Sequence, residues 1–140
     1  MRIALVSCVK QKLPYPAPAR DLYTSPLFHG LRNHAEANSD SWFILSAKHS
    51  LIHPDTIVAP YERTLNRMSA ASRSAWATEV LEQLGKLVPA PTSILMLAGL
   101  RYRERLLPTL LALGIHVDIP LARLAFGQQL QWLKRENALV

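Results

Sequence analysis

Four short apolar runs punctuate the chain: Arg2–Ser7, Trp42–Ser46, Ser93–Ala98 and Ile115–Ile119. Each is nearly continuous rather than alternating, the pattern of strands buried on both faces of a parallel sheet. Helical spacing fills the segments between them. Ser25 followed by Pro26 is a start signal, because Ser caps free N–H groups and Pro suits the first turn. That helix is predicted to run to about Asn38, with Leu27, Leu31 and Ala35 inward. A second begins near Ser69, carries Trp76, Val80, Leu84 and Leu87 on one face, and ends before Pro89-Ala90-Pro91. A third covers roughly Tyr102–Leu113, kinked or restarted at Pro108 and stopped at Gly114. The last spans Phe126–Glu136, with Phe126, Leu130 and Leu133 together. Strand and helix alternate, which predicts a small three-layer, Rossmann-like α/β domain with a mostly parallel sheet of about four strands. The whole of residues 1–140 forms one such domain, since no linker, repeat or low-complexity tract divides it.

Composition sharpens this picture. Hydrophobic residues make up 49% and charged residues 19%, enough apolar matter for a core and too little charge for a disordered chain. Lys and Arg number 16 against 10 Asp and Glu, and the resulting +6 favours an anionic partner. Nucleic acid, DNA before RNA, or a nucleotide is the expected ligand, and no membrane contact is expected. Cys8 is the single cysteine, so there is no disulfide scaffold. No apolar run reaches the roughly 18 residues of a membrane span. The start of the chain has neither the length nor the cleavage site of a signal peptide. A cytoplasmic protein is the expectation.

In open α/β sheets ligands bind beyond the carboxyl ends of the strands. The residues that follow the four runs are Ser7, Cys8, Lys10 and Lys12; then Ser46, Lys48 and His49; then Gly99, Arg101 and Tyr102; then Arg123. Four separate loops thus bring hydroxyls, cations and an imidazole to one rim. Lys and Arg there suit phosphate oxygens. Ser25 and the helix start behind it add free N–H groups. Tyr23 or Tyr61 is placed to stack on a base, or else packs with its hydroxyl outward. Neither a P-loop nor a dinucleotide fingerprint occurs. Gly99 serves the ligand or merely a tight turn.

Several groups offer chemistry. His49 and His53 stand four apart with Asp55 close by, but Pro54 argues for a loop and a full metal set cannot be assembled. No metal and no cofactor are expected. Cys8 sits near Lys10 and Lys12, whose charge favours a thiolate, but it has no assignable His–Asp partner. Lys10, Lys12 and Lys48 are phosphate clamps, or amine nucleophiles if burial lowers a pKa. Asp55 and Glu62 are the carboxylates nearest the second-strand loop, fit to activate water or steady a cationic sugar, or else to pair with Arg63 or another base. The expected catalytic set is Lys48, His49, Asp55 and Glu62. Ser7, Cys8, Lys10, Lys12, Tyr23, Ser25, Ser46, Tyr61, Gly99, Arg101 and Tyr102 bind the ligand. Arg101, Arg103 and Arg105, on alternate positions of a helix, spread around it rather than forming one stripe.

Three segments carry a resemblance. Val6-Ser7-Cys8 with Lys10 and Lys12, the run from Ala17 to Phe28, and Ile44-Leu45-Ser46-Ala47-Lys48-His49-Ser50-Leu51 resemble a family of small bacterial and phage proteins known as a domain of unknown function. It implies no activity. The stretch from Leu45 to Pro54, followed by Pro60-Tyr61, is also distantly similar to a signature of the YaaA peroxide-stress family. There it reads Leu-Ser-Gly-Leu-Tyr-Gly-x-Leu-Arg-Pro, then Pro-Tyr-Arg. This chain departs with Ala47, His49, Ser50, His53 and Glu62. Those longer proteins are associated with DNA binding and protection from oxidative damage. The likeness carries Ser46, Pro54, Pro60 and Tyr61 and implies a nucleic-acid ligand. Three readings follow: a protein that binds nucleic acid or nucleotide and cleaves or exchanges an N-glycosidic bond; a non-catalytic DNA-binding stress protein; and a basic module that contacts an acidic protein.

Overall fold

A computed structural model describes residues 1–88, 91 and 93–138. Pro89 and Ala90, two of the three breaker residues expected after the second helix, lie outside the described residues. In chain order the elements are β1 (Arg2–Ser7), β2 (Ala17–Pro18), α1 (Ala19–Leu22), α2 (Pro26–Asn38), β3 (Ser41–Ser46), β4 (Ser50–Ile52), β5 (Ile57–Val58), a 3-10 turn (Leu65–Arg67), α3 (Ala70–Leu87), β6 (Ser93–Leu97), α4 (Leu100–Arg103), α5 (Leu107–Ala112), β7 (His116–Asp118) and α6 (Phe126–Asn137).

Five strands form one sheet in the order β4-β3-β1-β6-β7, and β2 pairs with β5 in a separate two-stranded ribbon. β1 is parallel to β3 and to β6, and β6 is parallel to β7; β4 alone runs antiparallel, on β3. The sheet is thus mostly parallel, as expected, but has five strands rather than about four. The added strand is the return arm of a hairpin, which parallel-run patterning does not reveal.

Alternate side chains of each central strand enter opposite cores. Ile3 and Leu5, Phe43 and Leu45, Ile94 and Met96 pack with Trp76, Val80 and Leu84 of α3 and Leu110 of α5. Ala4 and Val6, Ile44, Leu95 and Leu97 pack with Phe28, Leu31 and Ala35 of α2 and Leu133 of α6. Both faces are covered, which is why these strands read as continuous apolar runs. β7 is an edge strand with His116 and Asp118 exposed.

Local signals explain the helix ends. Ser25 Oγ accepts from the Phe28 N–H, and Ser69 Oγ accepts from the Ser72 N–H, each satisfying a first-turn donor. The predicted third helix is two pieces, α4 and α5, broken ahead of Pro108. Gly114 ends α5 at φ +78, where a side chain would be strained. Leu87 and Phe126 are more than half exposed, so neither belongs to the buried face the spacing assigned it. None of the described helices is long and apolar enough to cross a membrane.

Because α2 joins two parallel neighbours, β1 and β3, its N-terminus lies at the carboxyl end of both. α3 reaches the same rim: the Trp76 Nε1–H donates to the Ser46 carbonyl at 2.8 Å. The sheet topology therefore gathers the ends of β1, β3 and β6 with the starts of α2 and α3.

Candidate functional site

The rim is organised around Tyr61. Its hydroxyl lies 2.6 Å from Ser46 Oγ and 2.6 Å from the Tyr23 hydroxyl, all three buried. Ser46 Oγ also accepts the backbone N–H groups of Lys48 (3.3 Å) and His49 (3.1 Å). Those two bonds use both lone pairs of the serine, so Ser46 donates to Tyr61. Three hydroxyl protons then share two hydroxyl–hydroxyl bonds, and one phenol proton is left over. Burial raises the Tyr23 and Tyr61 pKa values well above the usual phenol range, with the charge of Cys8 adding to it, so both stay protonated at neutral pH.

Cations surround this core. The Lys12 ammonium sits 4.6 Å from the Tyr61 ring centre and 5.6 Å from that of Tyr23; the Lys48 ammonium is 6.0 Å from Tyr61. Lys12 is tethered by donating to the Val9 (3.0 Å) and Lys10 (3.2 Å) carbonyls, so the loop after β1 curls around its own side chain. Burial holds the Lys12 pKa below the ordinary lysine value, opposed by Cys8 and Glu62. Among the described residues, Lys10, Lys12 and Lys48 form no ion pair. The His49 ring stands edge-on to Tyr61 at 5.3 Å, and burial, then the Lys48 charge, lowers its pKa, so it is neutral at pH 7.

α4, which follows β6, supplies the other wall. Cys8 Sγ is 3.3 Å from the Tyr102 hydroxyl, and the Tyr102 ring packs edge-on against Trp76 at 5.7 Å. Burial, then Cys8, raises the Tyr102 pKa. Cys8 and Tyr102 meet where β1 has β3 on one side and β6 on the other.

The fold brings together most of the residues read from the sequence: Cys8, Lys12, Tyr23, Ser46, Lys48, His49, Tyr61 and Tyr102. Ser7 ends β1, and Lys10 is exposed on the curled loop. Ser25 spends its hydroxyl as the cap of α2. Gly99 has an ordinary extended backbone (φ −65, ψ 165), so the turn after β6 does not require glycine. Arg101 pairs with Glu104 at 3.4 Å. Asp55 pairs with Arg20, three residues before Tyr23, instead of facing the hydroxyls. Glu62 stays exposed, close enough for its charge to act on Lys12. Tyr23 is fully buried and has no free face for a base. His53 accepts from the Asp55 N–H and packs against Phe43. Among the described residues no three His, Cys, Asp or Glu side chains converge.

A cavity of about 290 Å³ opens beside the β3–β4 turn. Leu51, Ile52 and Val58 give it apolar lining, and Lys48, His49 and His53 give it polar lining. Sequence reasoning missed this space, because β5 consists of two residues with no readable period. It also missed the part of Trp76 in holding the Ser46 carbonyl: helical spacing showed the core face and nothing of the indole N–H.

Fold and rim together define an α/β protein with a cationic, hydroxyl-rich site at the carboxyl ends of its parallel strands. Residues 3–135 match the family described as "Family of unknown function (DUF6884)", and the chain belongs to that family. It is 29% identical over 143 residues to the uncharacterized protein YfjM of Bacillus subtilis (strain 168), across 96% of this chain and 93% of that one. No solved structure matches it.

Proposed function

We propose that this protein binds a nucleic acid or nucleotide at the strand-end rim and cleaves or exchanges its N-glycosidic bond. The observation that carries the reading is the convergence of Lys12 and Lys48 on Tyr61 without a carboxylate partner among the described residues. Unpaired ammonium groups beside buried, protonated hydroxyls suit phosphate oxygens and a leaving group that needs a hydrogen bond. Lys12 meets the condition for an amine that also acts chemically, a pKa lowered by burial. The cavity beside Lys48 and His49 has apolar walls for a base. Glu62 is the carboxylate left near the site, since Asp55 is held by Arg20. In hydrolysis water adds its hydroxyl to the sugar carbon, and the base departs with the bonding electrons and a proton.

The sheet order supports a Rossmann-like, doubly wound reading of the fold. The connection after β1 packs α2 on one face, that after β3 packs α3 on the other, and the crevice falls at β1 and β6. A cytoplasmic location belongs to the same proposal.

Two observations favour a second reading, a non-catalytic DNA-binding protein of the YaaA type. Ser46 and Tyr61, two of the positions shared with that signature, bond directly. Ser50, which stands at its second glycine, has a left-handed backbone (φ 63).

Incubation with single- and double-stranded DNA, RNA and mononucleotides, followed by mass spectrometry for free base, separates the two. Released base that disappears in Lys12→Gln and Lys48→Ala establishes the glycosidic reaction. Salt-sensitive binding without released base establishes the second reading.

A further inference from the structure

Across Tyr102 from Lys12 lies a second group of cations. Arg105, just beyond α4, reaches α3 and donates to Ser74 Oγ at 3.2 Å. Arg73, the neighbouring residue on α3, donates to the Met68 carbonyl at 3.1 Å. Both anchors are neutral, and neither arginine has a carboxylate partner among the described residues. The Nε of each is buried and has no acceptor among the described residues. The Arg73 guanidinium is thus fixed at the Met68 carbonyl, just ahead of α3, and the Arg105 guanidinium at Ser74, the residue after Arg73, and neither meets a carboxylate among the described residues. Cations without a carboxylate partner, at the start of α3, suit phosphate oxygens.

Their position ties them to the rim. Arg73 stands three residues before Trp76 and so shares its face of α3. Trp76 holds the Ser46 carbonyl and packs on Tyr102. Tyr102 in turn contacts Cys8, beside Lys12. The path from the lysines to the arginines crosses the carboxyl edge of the sheet from one face to the other, with Tyr102 between them.

We propose that Arg73 and Arg105 form a second phosphate subsite, so that the ligand is a polynucleotide whose backbone crosses the rim rather than a mononucleotide. The inference rests on the nucleic-acid reading above and narrows it. A nucleoside monophosphate fills the lysine side alone, whereas a chain of phosphodiesters engages both.

The test measures affinity for a single-stranded DNA dodecamer and for AMP, against salt, in the wild type, Arg73→Gln/Arg105→Gln and Arg73→Lys/Arg105→Lys. The expected result is a dodecamer affinity lowered about tenfold or more in the Gln pair. The log–log salt slope should be shallower by about 1.4, two single-strand phosphate contacts. AMP affinity should be unchanged, and the Lys pair should keep most of the slope. Should the Gln pair melt early, Arg105→Gln alone reads half the effect, a slope change of about 0.7. An unchanged dodecamer affinity and slope overturns the subsite while leaving nucleotide binding standing. Equal losses for AMP and dodecamer in a folded variant also overturn it, since the arginines then belong to the first site. A wild type that binds neither overturns both readings.

Discussion

Tyr61 carries two 2.6 Å hydrogen bonds on one oxygen, so deleting that oxygen is felt at both ends. Tyr61→Phe leaves the Ser46 proton without an acceptor in a buried site, and an unsatisfied buried donor costs about 1–3 kcal/mol. Urea denaturation should show a loss of that size. Lys48→Ala and His49→Ala alter exposed side chains and should shift stability by no more than about 0.5 kcal/mol while weakening ligand binding. A collapse in stability would give both residues to structure. The tyrosines also set an alkaline limit. Their folded pKa values lie above the unfolded value of 10.0, so the stability they contribute is present below pH 10 and lost as pH rises beyond it. Thermal melts should fall above pH 10, and less steeply in Tyr61→Phe. The lowered pKa values of His34 and His49 act in the opposite direction. Stability is present above the ordinary 6.5 and lost as pH falls below it, because the unfolded imidazoles take up protons that the folded ones resist. His34→Gln should flatten the acid side of the profile. Residue types were readable on this scale, but their contacts were not. The chain shows Tyr23 and Tyr61 as two aromatic residues 38 positions apart, and only the fold closes the bond between them.

Among the elements, the β3–β4 hairpin is the most exacting. Its turn places Ser50 in the left-handed region, which costs a non-glycine residue about 1–2 kcal/mol. Glycine removes that cost but loses about 0.5–1 kcal/mol in chain entropy. Ser50→Gly should therefore lie within about 1 kcal/mol of wild type. Ser50→Val, β-branched and in a buried position, should be markedly less stable, as chemical denaturation would record. Gly30 sets another limit: a Cβ there would come within 3.1 Å of Leu133 Cδ1, so α2 and α6 touch at a point where even a methyl group forces a shift. The long elements were legible because burial on two faces writes a run and burial on one writes a helical stripe. β2, β4 and β5 have two or three residues each, too few for any period. The expected face of α6 failed at Phe126, which opens the helix and is exposed.

For the molecule as a whole, the net charge of +6 was visible at once, and its arrangement was not. Local pairing removes Arg2, Arg20, Arg32 and Arg101 from the free cations by giving each a carboxylate. Lysines on one side of Tyr102 and arginines on the other remain at the rim. Salt should therefore weaken the proposed nucleic-acid binding far more than it lowers the melting temperature. The loops after the strands pointed to this rim because doubly covered parallel strands end on a common edge. Strand order was not legible, since nothing in an apolar run names its neighbour.

That order has a consequence for the birth of the protein. β1 is made before the other strands of the sheet yet becomes its central strand, between β3 and β6. Val6 waits for Leu97. While the ribosome is still translating residues 41 to 92, Ile3, Ala4, Leu5 and Val6 have one edge available to β3 and the other bare, an apolar ribbon open to any passing strand. A chain released before Ser93 should be a substrate for proteases and holdase chaperones, and emergence of β6 from the exit tunnel should end that vulnerability.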